Sequence, residues 1–323
     1  MTEAIVDRLL RSEEPSVRYK VLVNVLGEDE SAAKIKQLRE KIKGCSRVKL
    51  LLSERRADGT TPYHPYQKWR GAHWILATLA DLGYPSGDES LRPMLERSYK
   101  WLLSERHAES IRTIEGRVRR CGSQESNCVY YSLALGLADE RTDELAQRLI
   151  KWQWPDGGWN CDKRPEAVNS SYHESIIPLR ALSLYARLKG NEEAKEAADR
   201  AAELFLKRRL YKRQKDGKVM SKSFVDLFYP PYWHYGILIG LKVMAESGYI
   251  GDERCSDALD LLESKQLPDG GFPAERRYYE TATPAKPSGR ELVDWGGVSK
   301  TRSNEFVTAD ALFILRAAGR LQL

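Results

Sequence analysis

Three of the chain's five histidines, His73, His173 and His234, stand at the start of long apolar runs. Each has aromatic or ionisable neighbours. Trp69, Arg70 and Trp74 flank the first, Tyr172 and Glu174 the second, Trp233 and Tyr235 the third. Imidazole beside phenol, carboxylate and guanidinium can move protons and neutralise charge that builds on a substrate. His73, His173, Glu174, His234 and Tyr235 are therefore the candidate catalytic residues. Cys128 with Asn127, and Glu305 with Asn304, hold the corresponding place before two further runs. The structural alternative is that histidine at a helix start caps the turn or bonds a loop carbonyl.

Thiols are a second source of chemistry. Five cysteines are an odd number, and a signal peptide is not expected from Met1-Thr2-Glu3-Ala4. Free thiols or metal ligands are expected rather than a disulfide framework. Cys121, Cys128, Cys161 and His173 would make the sulfur-rich donor set that Zn2+ favours. They form no compact Cys-x-x-Cys pair, and buried cysteine also serves as a small hydrophobe.

The elements that must position these groups follow from a repeated phrase. A helix end, a few polar residues, Asp-Gly-Gly and an aromatic recur at Gln153-Trp154-Pro155-Asp156-Gly157-Gly158-Trp159 and Gln266-Leu267-Pro268-Asp269-Gly270-Gly271-Phe272. Degenerate copies surround Asp58-Gly59 and Asp216-Gly217. Self-similarity at tens of residues marks a repeat architecture. Between the phrases lie apolar runs, at 17–26, 73–82, 128–138, 173–185, 234–244 and 306–317, which must be buried all round. They alternate with amphipathic runs at 31–42, 91–103, 192–206 and 252–262, which cover a core and face water. Six inner and five or six outer helices are expected, as one all-α domain over 1–323. A minor hairpin is expected at 211–222, and long loops at 109–124 and 281–301. Pro178, inside an inner run, removes a helix bond to the Glu174 carbonyl. In the loop phrase, glycine supplies left-handed backbone, Asp156 can cap amides and Trp159 can pack beneath the turn. Asp156, Trp159 and Asp269 are thus structural first.

Inner and outer helices joined by Asp-Gly-Gly-Trp loops resemble the α/α toroid of squalene and terpenoid cyclases and protein prenyltransferase β subunits. The resemblance runs from about Val17 to the C-terminus and is strongest over Gln153–Leu184. It implies a six-hairpin barrel whose central cavity takes an isoprenoid or other apolar ligand. The acidic Asp-x-Asp-Asp run of the protonating cyclases is absent, as is an Asp-Asp-x-x-Asp magnesium cluster. By resemblance to the prenyltransferases, Tyr172-His173 and Cys128 stand where those enzymes bind zinc, with Ser126 in the place of their aspartate.

Composition narrows the classes. Hydrophobic residues make up 41% and charged residues 30%, with a net charge of +6, which suits a globular protein of mixed surface. No basic block is interleaved with aromatics, so nucleic acid is not expected as a partner. No apolar run reaches membrane-spanning length, and a cytoplasmic location is expected. Three readings remain: an isoprenoid-handling enzyme of prenyltransferase type, a polysaccharide lyase or hydrolase on the same fold, and a non-catalytic binding protein. The lining of the cavity separates them. A dry aliphatic lining favours a lipid, and polar walls with aromatic platforms favour a carbohydrate.

Overall fold

The computed structural model describes residues 2–283 and 290–322. After α1 (Thr2–Leu10), the apolar runs fold as inner helices with outer partners. α2 (Pro15–Lys20) continues as a π-helical turn, Val21–Val25, before α3 (Ala33–Gly44) and α4 (Ser46–Leu51). α5 (Ala72–Leu82) is followed by α6 (Arg92–Leu102) and α7 (Glu105–Glu109). α8 (Gly122–Ala134) precedes α9 (Glu140–Trp152). α10 (Tyr172–Lys189) precedes α11 (Glu192–Leu206) and the one-turn α12 (Lys222–Val225). α13 (Ile237–Glu246) precedes α14 (Ser256–Glu263), and α15 (Glu305–Ala317) ends the series.

The inner helices close on themselves. α2 packs on α5, α5 on α8, α8 on α10, α10 on α13, α13 on α15, and α15 back on α2. α3, α6, α9, α11 and α14 each pack outside the inner helix before them. This is the expected all-α toroid. The division follows from composition. Ile237 to Met244 of α13 are all buried. α11 buries a stripe of Ala194, Ala197, Ala198, Ala201 and Ala202 and leaves its charges outside. Asn191, accepting from the Ala194 amide, starts that helix, and left-handed Gly190 ends the one before it. α10 runs unbroken through Pro178.

Several boundaries differ from expectation, each for a physical reason. α8 begins at Gly122, because the Glu174 carboxylate accepts from both the amide and the hydroxyl of Ser123 (3.1 and 2.7 Å). A cap supplied from another helix leaves no local signature. Cys128 therefore lies inside the ring, fully buried, where burial pushes its thiol up to about 12. α13 begins only at Ile237, behind an extended Gly236 whose added Cβ would strike Phe228, so His234 and Tyr235 lie in the preceding loop. The 109–124 loop contains a two-stranded hairpin, β1 (Arg112–Ile114) and β2 (Arg117–Arg119). Its turn residues Glu115 and Gly116 have φ of 50° and 67°, the sense that matches strand twist. In the expected 211–222 hairpin, Lys212 pairs antiparallel with Val219. Of the 281–301 loop, residues 284–289 lie outside the described residues. Its Trp295 is buried, with its amide bonded to the Tyr279 hydroxyl.

A charged cluster, not an apolar chamber, fills the ring axis. Lys20 Nζ donates to Asp81 and Asp310, each at 2.9 Å. Lys242 Nζ donates to the same two carboxylates at 2.7 and 3.0 Å. Arg180 pairs with Glu246 at 2.6 Å, and its guanidinium lies 4.0 Å from the Tyr130 ring centre. The Tyr229 hydroxyl donates to Asp81 at 2.9 Å. Burial alone would raise Asp81, but Lys20, Lys242 and Arg180 outweigh it and hold the carboxyl well below its usual range. α2, α5, α8, α10, α13 and α15 each contribute a side chain, and three cations meet three anions.

Removing one member leaves a buried charge without full compensation, which costs up to about 3–5 kcal/mol. Asp310→Leu is expected to destabilise by that amount, and Asp310→Leu with Lys242→Met by less. Urea unfolding followed by tryptophan fluorescence checks this; equal losses would show that the charges are not coupled.

His73, on α5, is also buried in the core rather than at the mouth. Its Nδ1 lies 3.3 Å from the Tyr131 hydroxyl, and its Nε2 has no partner among the described residues. Burial, and secondarily Arg120, push it down to about 3. The unfolded chain takes up this proton near pH 6.5 and the native chain only near 3. Stability present above pH 6.5 is therefore lost on acidification, by at most about 1.4 kcal/mol per pH unit. His73→Gln should flatten the decline of the urea midpoint between pH 6.5 and 4. An unchanged slope would place the acid sensitivity elsewhere.

Candidate functional site

The inner helices begin at one end of the ring, and the Asp-Gly-Gly loops set how they begin. Asp156 accepts from the amide and hydroxyl of Ser170 (2.8 and 2.5 Å). The Trp159 amide donates to Ser175 Oγ at 3.0 Å, and its indole N–H to the Leu149 carbonyl at 3.0 Å. Gly157 has φ +98°, and an added Cβ would lie 2.2 Å from the Arg200 carbonyl oxygen, so only glycine fits. The second copy repeats the bonds. The Phe272 amide donates to Thr308 Oγ1 at 2.9 Å, and Ser303 Oγ donates to Asp269 at 3.1 Å. Each loop is thereby tied to the start of the next inner helix, the structural role expected of Asp156, Trp159 and Asp269.

Directly after Trp159, the chain runs beside the end of the β hairpin. Arg119 and Asn160 form a parallel bridge, and the Arg120 amide donates to the Asn160 carbonyl at 3.0 Å. This pairing sets Cys121 beside Cys161. Gly122 lets the start of α8 press against the Glu174 carbonyl and Trp159, where a Cβ would sit 3.0 Å from both. The two sulfurs and a Glu174 oxygen lie within 4.8 Å of one another. The two thiols act on each other, which raises Cys121 and lowers Cys161. Glu174 is buried, and burial raises it despite its bonds from Ser123. Both thiols are half-buried, and all five cysteines are free.

Of the four residues expected to bind metal, the structure thus unites Cys121 and Cys161 but not Cys128 or His173. Glu174, expected as a catalytic residue, joins the thiols instead. Cys128 was carried away by the early start of α8. His173 lies outside this donor group, and its Nδ1 accepts from the Tyr235 amide at 2.8 Å. Its other neighbours are the rings of Phe224, Trp233 and His234. Burial lowers its pKa.

His234 is clasped between Trp233 and Tyr278, with ring centres 3.9 and 3.5 Å away. Burial, then His173, push it down to about 3. Tyr235 is fully buried, donates to the Leu210 carbonyl at 2.6 Å, and has its phenol pushed well up by burial. It cannot reach a ligand at the mouth. Arg70 is paired with Glu54.

A cleft of about 500 Å³ opens beside His234, lined by Lys68, Trp69, Arg277, Tyr278, Tyr279, Glu280 and Arg290. Lys68 Nζ stands 4.9 Å from the Trp233 ring centre and 5.4 Å from that of Trp69. Arg277 lies 5.9 Å from the centre of Tyr279, and Arg290 pairs with Glu280. Among the described residues, neither Lys68 nor Arg277 forms an ion pair with a carboxylate. Sequence reasoning missed Lys68, Arg277 and Tyr278. Lys68 beside Trp69 and Arg277 beside Tyr278-Tyr279 were the available signal, a cation next to an aromatic in two separate loops.

At the opposite end of the axis lies a cavity of about 330 Å³, lined among others by Lys20, Asp81, Tyr130, Arg180, Lys242 and Glu246. Between it and the mouth, a pocket of about 30 Å³ remains beside Asn127, Ile177 and Tyr232, room for about one or two waters.

No family profile matches the chain, and no curated protein matches it. Among solved structures, a protein from Actinoplanes is similar, with 18% identity, a TM-score of 0.47 and 98% of both chains covered. The type II terpene cyclase MstE from Scytonema is similar in two complexes. With the substrate geranylgeranyl dihydroxybenzoate, the identity is 16% and the TM-score 0.46, over 99% of this chain and 97% of that one. With the product merosterolic acid A, the identity is 14% and the TM-score 0.45, over 99% and 96%.

Proposed function

We propose that this toroid binds an acidic saccharide, a uronate-type sugar, in the cleft between Lys68 and Arg277. The observation that carries the reading is two cations without carboxylate partners set against an aromatic wall. A sugar ring presents C–H faces that lie against Trp or Tyr. Its carboxylate takes charge-assisted bonds from ammonium or guanidinium groups. The axis argues against an isoprenoid chain inside the ring, since its space is lined by charged side chains. An extended prenyl chain there would have to displace ion pairs or leave them unsolvated.

The reading is binding rather than elimination. A general base works best with a pKa near the working pH. His234, down at about 3, is too weak a base at neutrality, and Tyr235 is sealed in the core. His234 serves instead as part of the wall, stacked and uncharged.

Calorimetric titration with oligogalacturonate, a neutral maltooligosaccharide and geranylgeranyl diphosphate tests this. The acidic sugar is expected to bind at least about tenfold more tightly than the neutral one, and Lys68→Ala and Arg277→Ala should each weaken it by about tenfold. Preference for the prenyl compound, or indifference to both substitutions, would overturn the reading.

A further inference from the structure

We infer that Cys121, Cys161 and Glu174 form a site for one soft divalent cation, zinc by donor chemistry, with a coordination position left open at the mouth. The inference does not depend on the saccharide reading and stands if that fails.

The geometry carries it. Three donor atoms of the types zinc takes lie within 4.8 Å of one another. Ligands at 2.0–2.3 Å in a tetrahedron stand about 3.3–3.8 Å apart, so small side-chain adjustments would bring all three onto one ion. The backbone around them is already fixed. The parallel bridge between Arg119 and Asn160 holds the two cysteines on neighbouring segments of chain. The Asp156 and Trp159 bonds anchor the loop that carries Cys161.

The carboxylate is oriented as well. Glu174 Oε2 accepts both bonds from Ser123, while Oε1 faces Cys161 Sγ at 4.0 Å. One oxygen is thus held by an outer shell and the other is turned to the thiols, the arrangement that tunes a metal ligand. Two thiolates and a carboxylate carry three negative charges, and zinc neutralises two. With three protein ligands the ion would keep a place for water or a ligand atom, the pattern of reactive rather than purely structural zinc. Both thiols remain half-buried rather than sealed, which leaves an entry path.

The test uses the full chain, purified under reducing conditions, incubated with zinc and freed of excess metal. Elemental analysis should find about one zinc per chain. Cys121→Ser and Cys161→Ser should each retain less than a tenth of it, and Cys128→Ser should retain all of it, with circular dichroism confirming that each variant is folded. Cobalt(II) on the wild-type chain should show thiolate-to-metal charge-transfer absorption, a readout that needs no variant. Wild-type protein that takes up no zinc, zinc retained by both serine variants, or bound cobalt without the thiolate band would each overturn the site. So would a Cys121–Cys161 disulfide that forms in air and is not suppressed by zinc.

Discussion

A ring of six inner helices leaves a hole along its axis, and the hole must be filled without stranding a polar group. In this chain Lys20, Lys242 and Arg180 fill it together with Asp81, Asp310 and Glu246. The cavity beside them is lined by the later turns of the inner helices. Each of those helix ends carries partial negative charge, so cations gain there from the helix dipoles as well as from their carboxylates. Ion pairs buried this deeply contribute little net stability compared with a hydrophobic filling of the same shape. Their effect is on geometry, since each charge finds partners only when the helices stand in one relative position.

That fixed ring sets where the chemistry can be. With the axis closed by charges, an accessible site is pushed to the mouth, where the loops are. Those loops are not loose. Asp156, Trp159, Asp269 and Phe272 tie each Asp-Gly-Gly turn to the following inner helix by the same kinds of bond. Loops on a rigid scaffold are where binding groups usually lie. Here one sector of the mouth holds thiols and a carboxylate, and another holds cations against aromatic rings.

Much of the fold was legible in the sequence, and less of the site. The repeat phrase, the all-apolar runs and the alanine stripe of α11 each report a local requirement, and local requirements survive in sequence order. The axial charges were visible only as single polar residues in otherwise apolar runs, Asp81 among Leu79, Ala80 and Leu82, or Lys242 among Leu241 and Val243. Their partners lie in other helices, so no spacing connects them. The same holds for the thiols. Cys121 and Cys161 are forty residues apart, and what joins them is a bridge between Arg119 and Asn160. The early start of α8 depended on Glu174, fifty-one residues away. It carried Cys128 inward and undid the metal set expected from sequence. His73 and Tyr235 kept the right neighbours in sequence but point into the core, a matter of rotation that neighbouring residues do not encode.

Closure of the ring orders events in time as well as in space. Lys20 shares Asp310 with Lys242, and Ser12 bonds Glu305 at 2.8 Å. The first inner helix thus takes one of its two counter-charges from the last inner helix of the ring. Until α15 is made, Lys20 and Lys242 have one shared carboxylate fewer, and water must stay on the axis to solvate them. The nascent chain can stack its middle repeats, whose contacts are close in sequence, but it cannot dry its own centre. Long-range closure of this kind comes late, because the chain entropy is lost before the contact is gained. The charges that hold the finished ring in register therefore also keep the unfinished one open and hydrated, which leaves less dry apolar surface for other chains to meet during synthesis.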